Sequence, residues 1–415
     1  MSQFLKILLI ALVVIFALKF SGCNEQPSKI AINLLPDTSQ IKGISSADTQ
    51  LITSQRVFQA DFPLFNMGGI LIGKSNGITA AAITSFAFIP DTLDHLKIED
   101  LENVKLTIFP HRYALGDTNS GYFGFDIYKI NRRWAVDTTT YDSLFVVPAN
   151  YYDPIPVASW SGKILLKDSL ETVTIDLTKE LILEWLRTET VFVPDSGKDV
   201  KRIIPNYGLI LVPHQQSNII HRFYGNSPTA DLSSLIRIDY RDGSDSLREL
   251  NLVSGVDMTF LDTPMPDTSY IVMQNGANYW TELEFDLSMI PQFSGIHKTQ
   301  LTLHFVPELS YRGNIKLDTT VLEANFFLDD YLNPIFQFTG SNAQNINEFF
   351  FPSFTSAVQY WNRTTGKGSL VIMPHTINNQ ARQLDRYVFY GLNHPDVSKR
   401  PSLKVIYSTN PSMFE

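Results

Sequence analysis

The chain has 415 residues, a formal net charge of −9 and a single cysteine, Cys23. One cysteine excludes internal disulfides and thiolate metal clusters, so stability must come from an ordinary hydrophobic core. The acidic balance, without a Lys/Arg-rich run, argues against nucleic acid and against an anionic membrane surface as partner. The length predicts two or three domains.

The first predicted element is an export signal in residues 1–22. An apolar run over 7–18 follows Lys6, and two small residues precede Cys23. The run is shorter than the roughly 20 residues that a membrane-spanning helix needs. The pattern resembles the signal peptide and lipobox of a bacterial lipoprotein, which implies cleavage before Cys23 and lipidation of its side chain. An uncleaved N-terminal anchor is the alternative.

Residues 23–41 predict a flexible tether between the lipid and a folded body, because they are polar and contain Pro27 and Pro36. Cleavage of the signal removes Lys6 and Lys19 and changes the net charge from −9 to −11. The expected location is the cell envelope, with the outer membrane as the anchoring membrane.

Beyond the tether, apolar and polar residues alternate with period two between short Pro- and Gly-containing breaks, as in Leu403 to Tyr407. This pattern predicts an all-β protein made of two tandem antiparallel β-sandwiches of jelly-roll type, each with one short helix. The predicted domains are 42–241 and 248–408, with a linker at 242–247 and a tail at 409–415.

An internal repeat supports this division. Five landmarks occur in the same order in both halves with the apolar alternation kept, and the first requires no gap. The paired segments are 86–110 with 283–307, 173–187 with 349–363, 209–214 with 370–375, 223–225 with 389–391, and 236–240 with 403–407.

The helix of the first copy is predicted over Thr178 to Arg187, where Leu181, Ile182, Trp185 and Leu186 share one face. A helix that covers the end of a sandwich must bury such a face. We therefore expect Trp185, and Trp361 at the matching position of the second copy, to be core residues.

The first copy contains a series of short elements, Gly69–Gly73, Phe86–Phe88, Leu106–Ile108, Leu181–Trp185, Asn206–Leu211 and Ile236–Tyr240, and Pro401–Tyr407 closes the second copy. This series resembles the DNRLRE-type β-sandwich module of bacterial surface and secreted proteins. The resemblance implies a fold similar to carbohydrate-binding jelly rolls, and some relatives bind polysaccharides. Its motifs are core positions, so they specify the fold better than the ligand.

A glycan site is predicted in the first copy. Its candidate residues are Arg132, Arg133, Trp134, Tyr151, Tyr152 and Trp160. Aromatic faces stack on sugar CH groups, and arginine pairs with carboxylate or sulfate, so the set suits an acidic glycan. Internal packing of these rings is the alternative. Residues 314–345 of the second copy lack the tryptophans, which predicts binding by one domain only.

A calcium site is a further hypothesis. Asp239, Asp242, Gly243 and Asp245 form an acidic, glycine-containing cluster at the predicted junction, and Ca²⁺ prefers oxygen ligands. Because the segment is not a twelve-residue loop with a terminal Glu, a solvated linker is the alternative. No other cofactor is predicted. His111, His214 and His375 follow prolines at strand ends and are expected on the surface.

The sequence lacks the common catalytic motifs, such as a nucleophile elbow, a P-loop or a metalloprotease helix. These features predict a lipid-anchored, non-enzymatic envelope protein that binds a polysaccharide or another envelope component. The alternatives are a structural spacer or assembly subunit, and a polysaccharide-degrading enzyme that uses Asp329 and Asp330 as its carboxylate pair.

Overall fold

The computed structural model describes residues 40–60, 64–65, 69–87, 89–146, 151–165, 172–193, 198–226, 232–243, 246–314, 321–328, 333–341, 347–374 and 383–409. All strand pairs in these ranges are antiparallel, and the α-helices are short. The predicted all-β sandwich class is confirmed.

The strands up to residue 262 are β1 (Gln40–Ser45), β2 (Ile52–Gln59), β3 (Leu64–Phe65), β4 (Ile70–Ser75), β5 (Ile78–Phe86), β6 (Leu101–Gly116), β7 (Gly124–Lys129), β8 (Ala158–Ser161), β9 (Val173–Asp176), β10 (Thr188–Val193), β11 (Lys198–Ile203), β12 (Leu209–Pro213), β13 (Ile219–Tyr224), β14 (Leu235–Arg241) and β15 (Leu247–Asp262).

The later strands are β16 (Ile271–Gln274), β17 (Tyr279–Asp286), β18 (Gly295–His304), β19 (Val321–Phe326), β20 (Phe336–Ser341), β21 (Glu348–Phe351), β22 (Lys367–Pro374), β23 (Arg386–Phe389) and β24 (Ser402–Thr409). The α-helices of the described residues are α1 (Tyr141–Phe145), α2 (Lys179–Leu186) and α3 (Thr355–Arg363). The first copy thus carries two helices where one was predicted, because Thr140 caps the extra turn α1.

The strands form two large sheet networks and the separate hairpin β10–β11. The first unit has the order β3-β15-β14-β6-β13-β4-β5-β12-β7-β8, with β9 on β6. The second unit has the order β1-β24-β18-β21-β20-β19-β22-β17-β16-β23, with β2 on β17. Each network folds over its own buried cluster; Leu106 and Leu209 belong to the first cluster, and Leu301 and Leu370 to the second.

Trp185 and Trp361 occupy matching positions in the two cores. Both are buried, and each lies on the helix of its unit. Trp185 packs on Phe86 with ring centroids 5.9 Å apart, and Trp361 stacks on Phe285 at 5.5 Å. The predicted core role of both tryptophans is confirmed.

The strand register supports the repeat but corrects its first landmark. Leu106 lies opposite Ile236 and Ile175, and Leu301 lies opposite their repeat partners Leu403 and Phe351. Leu106 therefore corresponds to Leu301, two residues away from the predicted alignment. On β5 and β17 the observed correspondence differs from the predicted alignment by two residues in the opposite direction. Leu209 lies opposite Thr84 and its partner Leu370 opposite Leu283, which makes Phe86 the counterpart of Phe285. The alignment of the two copies must therefore contain a gap in the segment that joins these strands. Phe88, the predicted counterpart, lies outside the described residues.

The strand pairing also corrects the predicted domain boundaries. β15, assigned to the second domain, pairs with β14 and β5 of the first unit. β1 and β2, assigned to the tether and the first domain, pair with β24 and β17 of the second unit. The prediction assigned each strand to a domain by its position in the chain. The hydrogen bonds instead place β15 in the first unit and β1 and β2 in the second. Gln40 and Ile41 are strand residues and not tether, and Leu247 is strand and not linker.

The two units also share a buried contact. The Tyr113 hydroxyl of the first unit donates to Asp385 Oδ1 of the second at 3.1 Å and accepts from the Leu384 amide at 2.7 Å. Tyr113 and Leu384 belong to one apolar cluster with Leu71 and Leu115. Burial raises the pKa of both Tyr113 and Asp385.

We expect the free energy of unfolding to fall when His221 is protonated. Burial against Phe123 lowers the pKa of His221 from 6.5 to about 4. Because the folded-state value is depressed, protons bind the unfolded chain more tightly, so stability is complete above pH 6.5 and declines as pH falls toward 4. The shift corresponds to about 3 kcal/mol. Urea unfolding at several pH values in His221→Gln should show a flatter pH dependence than in the unmodified chain. Equal slopes would contradict this.

Candidate functional site

An aromatic cluster covers the outer face of the first unit. We call it the outer aromatic cluster; its half-buried rings are Tyr128, Trp134, Tyr141, Phe145, Tyr151, Tyr152 and Tyr207, packed on the buried residues Ile83, Ile130, Leu144, Ile210, Met258 and Phe260. The alternation of β-strand side chains explains its position. Ile127 points into the core and Tyr128 points outward, and Ile210 lies outward between two core leucines.

Trp134, Tyr151 and Tyr152, three of the predicted glycan residues, belong to this cluster. Trp134 donates from its indole N–H to the Tyr207 carbonyl at 2.9 Å, so its ring is held against the protein. Tyr152 packs on Tyr128 at 5.1 Å and on Phe145 at 6.1 Å. Burial raises the pKa of Tyr128 and Tyr152. Trp134 is therefore held by a hydrogen bond and Tyr152 by ring contacts, and the hydroxyls of Tyr128 and Tyr152 remain protonated at neutral pH.

Arg132 and Arg133 form the exposed edge of the cluster. The guanidinium carbon of Arg132 lies 3.6 Å from the centroid of the Tyr151 ring. Such stacking uses the flat face of the guanidinium and leaves its N–H groups able to bind a carboxylate or sulfate. Arg133 is also exposed. The arrangement combines a fixed cation with an aromatic wall, the two features that an acidic sugar requires.

The next polar group along this edge is an ion-paired cluster. Lys129 contacts Asp153 at 3.2 Å and Glu184 at 3.0 Å, and the Asn131 amide donates to Asp153 at 2.7 Å. Burial alone would raise the pKa of Asp153, but the hydrogen bonds from Asn131 and Lys129 outweigh it and lower the pKa. These carboxylates are occupied by Lys129 and Asn131.

Trp160 is the predicted glycan residue that the structure places elsewhere. It lies on β8 opposite Phe125, and its ring contacts Phe125 at 5.7 Å and Phe123 at 5.8 Å on the core side of the sheet. The predicted group of six therefore divides into a surface set and one core-facing tryptophan. The strand parity of β8 is the reason, and it could not be assigned without knowing which layer β8 joins.

A polar cleft between the two units adjoins the cluster, and the sequence alone did not predict it. Its volume is about 630 Å³, and its wall includes Thr139, Tyr141, Asp142, Phe260, Gln59 and Asn278. Gln59 and Asn278 belong to the second unit, and Gln59 precedes Thr139 of the first-unit wall by 80 residues. No sequence signal joins these segments, because the cleft exists only where the units meet.

The outer face of the second unit is built differently. Val371 takes the place of Ile210, and the cluster around it consists of Phe58, Ala60, Trp280, Phe327, Val371 and Met373. Here Arg56 stacks on Phe58 at 4.9 Å, but its guanidinium also pairs with Glu282 at 2.7 Å. The arginine of this face is therefore neutralised by a carboxylate of the protein itself.

The residues proposed for calcium are engaged in ion pairs. Asp239 accepts from Arg237 at 2.9 Å, and Asp242 contacts His95 at 2.8 Å and Arg248 at 3.1 Å. The hydrogen bond from His95 is the main cause of the lowered pKa of Asp242. Asp245 lies outside the described residues. Within the described ranges no three His, Cys, Asp or Glu side chains converge as a metal site would require. The calcium site stays a prediction.

His214 lies in a polar network at the end of β12. Its Nε2 faces Asp126 at 3.1 Å and Ser159 at 3.2 Å, while the Tyr122 hydroxyl meets Nδ1 at 2.9 Å. In a nucleophilic triad the serine and the carboxylate bind opposite nitrogens of the imidazole. Here they share one nitrogen, so the network does not form that relay. His111, the other predicted histidine in the described residues, packs on Tyr224 at 5.1 Å.

Cys23, His375, Asp329 and Asp330 lie outside the described residues. The lipidation site and the carboxylate pair of the enzyme hypothesis therefore stay predictions. In the part of the chain that the structure describes, no helix is both long and apolar enough to cross a membrane.

Comparisons with known proteins do not assign a family. No protein-family model matches the chain, and no curated protein does so. Among solved structures, one of the Macrobrachium rosenbergii nodavirus aligns over 93% of this chain and 93% of that chain, with 8% identity and a TM-score of 0.12. A likeness this low carries no argument about fold or function.

Proposed function

We propose that the protein is a lipid-anchored, non-enzymatic component of the cell envelope that binds an acidic polysaccharide through its first unit. The anchor is proposed from the export signal and Cys23, with the outer membrane as its location. The observation that carries the binding proposal is the stacking of Arg132 on Tyr151 at the edge of the outer aromatic cluster.

The cluster favours a sugar over a purely apolar ligand. Its tyrosine rings carry hydroxyl groups at their edges, so they offer apolar faces and hydrogen bonds together. Arg132 and Arg133 add positive charge to a protein whose net charge is −9, which focuses an anionic ligand on this edge. The cleft beside Tyr141 provides room for further sugar residues.

We expect Arg132→Ala to weaken binding to polygalacturonate or to a sulfated galactan at least about 10-fold, because a charge-assisted hydrogen bond to a ligand contributes about 1.5–3 kcal/mol. Titration calorimetry of the chain with each polymer measures the affinity. Tyr151→Ala should have a similar effect, because it removes the stacking surface that orients Arg132.

Arg56→Ala is the matched control. Arg56 stacks on Phe58 in the second unit but is paired with Glu282, so its loss should leave the affinity unchanged. If both arginine variants bind like the unmodified chain, or if neither polymer binds the unmodified chain, the acidic-glycan proposal fails.

A structural or assembly role is the second candidate. The crossed pairing of β1, β2 and β15 favours it, because the described chain starts in the second unit, builds the first and returns to the second, so two connections join the units. A stoichiometric protein partner recovered from solubilised envelopes, with no affinity for the polymers, would favour this role over glycan binding.

A further inference from the structure

β1 and β2 occupy in the second unit the position that β15 occupies in the first. The first half of β15 pairs with β14 and its second half with β5. In the second unit β24 and β17 correspond to β14 and β5, and they pair with β1 and β2. Residues 46–51 divide this edge segment into two strands. The same edge is therefore closed in both units, once by the next segment of the chain and once by a segment more than 200 residues earlier.

One hydrogen bond shows how closely the two closing segments correspond. Asp257 on β15 accepts from the amide of Asn226, directly after Gly225. Gln55 on β2 accepts from the amide of Leu392 at 2.8 Å, directly after Gly391. Gly225 and Gly391 are repeat partners, and a Cβ on either would collide with the side chain of the closing strand. Thus both edges hold their closing strand by the same side-chain contact.

The two closing strands differ in how firmly they are attached. β15 follows β14 directly in a hairpin and spans 16 residues. β1 spans six residues and is largely exposed; Ile41 keeps 71% of its surface, and a Cβ at Gly43 would meet no atom within 4 Å. β2 is held more firmly: it pairs with β17 along its length, and the buried Ile52, the Gln55 contact and the Arg56–Glu282 pair add to this. The second unit is therefore closed by a strand that is remote in sequence and weakly held at its start.

The connection from this strand to the first unit is short. The Ala60 amide still donates to Asn278 in the second unit, and Leu64 already lies opposite Thr259 in the first. Exchange of an identical element between copies keeps every contact and is a low-cost route to assembly. Short connections next to such an element favour that exchange.

We propose that β1 and β2 form an exchangeable closing strand. In the monomer it completes the second unit of its own chain, and in head-to-tail assemblies it completes the second unit of another copy. In such an assembly, β1 and β2 of one copy close the second unit of the neighbouring copy. They take the place there that β15 takes in the first unit. The occupant of the edge is thus a second copy of this chain, and the proposal does not depend on glycan binding.

A disulfide across the β1–β24 pair tests this proposal. Gly43 lies opposite Ile406, and both side-chain positions are exposed. We would oxidise the Gly43→Cys, Ile406→Cys variant, with Cys23→Ser to remove the only native thiol, at protein concentrations from about 10 μM to about 1 mM, since tethered elements compete at effective concentrations near millimolar. We expect intrachain disulfides at the low end and covalent dimers and longer ladders at the high end, on non-reducing gels.

The matched control is the Arg237→Cys, Asn251→Cys variant in the same background. These residues lie opposite each other in the β14–β15 hairpin and are exposed, so their disulfide should stay within one chain at every concentration. Intrachain disulfides alone for the β1–β24 pair across the whole range would overturn the proposal. Equal ladders for both pairs, which indicate random collision, would overturn it as well, as would failure of the Gly43–Ile406 pair to cross-link.

Discussion

Replacement of Trp361 by alanine is expected to lower the free energy of unfolding of the second unit by about 3–5 kcal/mol, the usual loss for a fully buried large aromatic. Only 1% of the side chain is exposed. Its ring stacks on Phe285 and meets the edge of Phe326, with centroids 5.5 Å away in both cases. The indole also fills the space beside Gly368, where a Cβ would come within 2.0 Å of it.

Urea unfolding followed by far-ultraviolet circular dichroism measures this loss. Trp185→Ala, the repeat counterpart, should destabilise the first unit by a similar amount, because Trp185 is 3% exposed and packs on Phe86. Trp134→Ala should cost less, since its ring is only half-buried. A loss below about 1 kcal/mol for Trp361→Ala would show that the second core is not built around this residue.

Replacement of Asp385 by alanine is expected to lower the free energy of unfolding by about 2–6 kcal/mol, of which the part due to Tyr113 acts at the contact between the units. Asp385 Oδ1 accepts from the Gly313 amide at 2.9 Å and from the Tyr113 hydroxyl at 3.1 Å. Alanine would leave both donors buried without an acceptor, and each orphaned group costs about 1–3 kcal/mol. Asp385→Asn keeps a carbonyl oxygen at the same place and should be close to neutral.

The pH dependence separates the acceptor role of Asp385 from its charge. Burial raises the pKa of Asp385 above its usual 3.8. The stability that goes with this raised value is therefore complete below pH 3.8 and is lost as pH rises through the folded-state pKa. Asp385→Asn removes the titration, so it should gain stability relative to the unmodified chain as pH rises. The same unfolding measurements at pH 3.5 and 7 test this. If the Asn and Ala variants lose equal stability at both values, the two hydrogen bonds to Asp385 do not contribute the expected stability.

Several features of the fold could be predicted from local patterns. The apolar face of α2 and the burial of Trp185 follow from 3.6-residue periodicity, and the strand class follows from period-two alternation. The sequence pattern does not reveal the two-residue error in the alignment of the first landmark, because a shift of two residues keeps the alternation of apolar and polar residues unchanged. Phe88 therefore matched Phe285 as well as Phe86 did.

The candidate site could be predicted only in part. Arg132, Trp134, Tyr151 and Tyr152 lie together as expected, because a short excursion of the chain connects them. Tyr128 and Tyr141 were not predicted, since each looks like any other aromatic of a strand or loop. Trp160 looked equivalent to Trp134 but faces the core, and the side it takes depends on the layer that β8 joins.

Local patterns alone indicate the strand class, the buried face of α2 and the presence of two related copies, because side-chain periodicity and repetition are local properties. The closing of the second unit by β1 and β2 and of the first by β15, the side that Trp160 takes and the cleft between the units follow from the three-dimensional arrangement. Backbone amides and carbonyls are the same in every strand. The choice of neighbour therefore depends on chain geometry and on single contacts such as those of Gln55 and Asp257, which alternation does not encode.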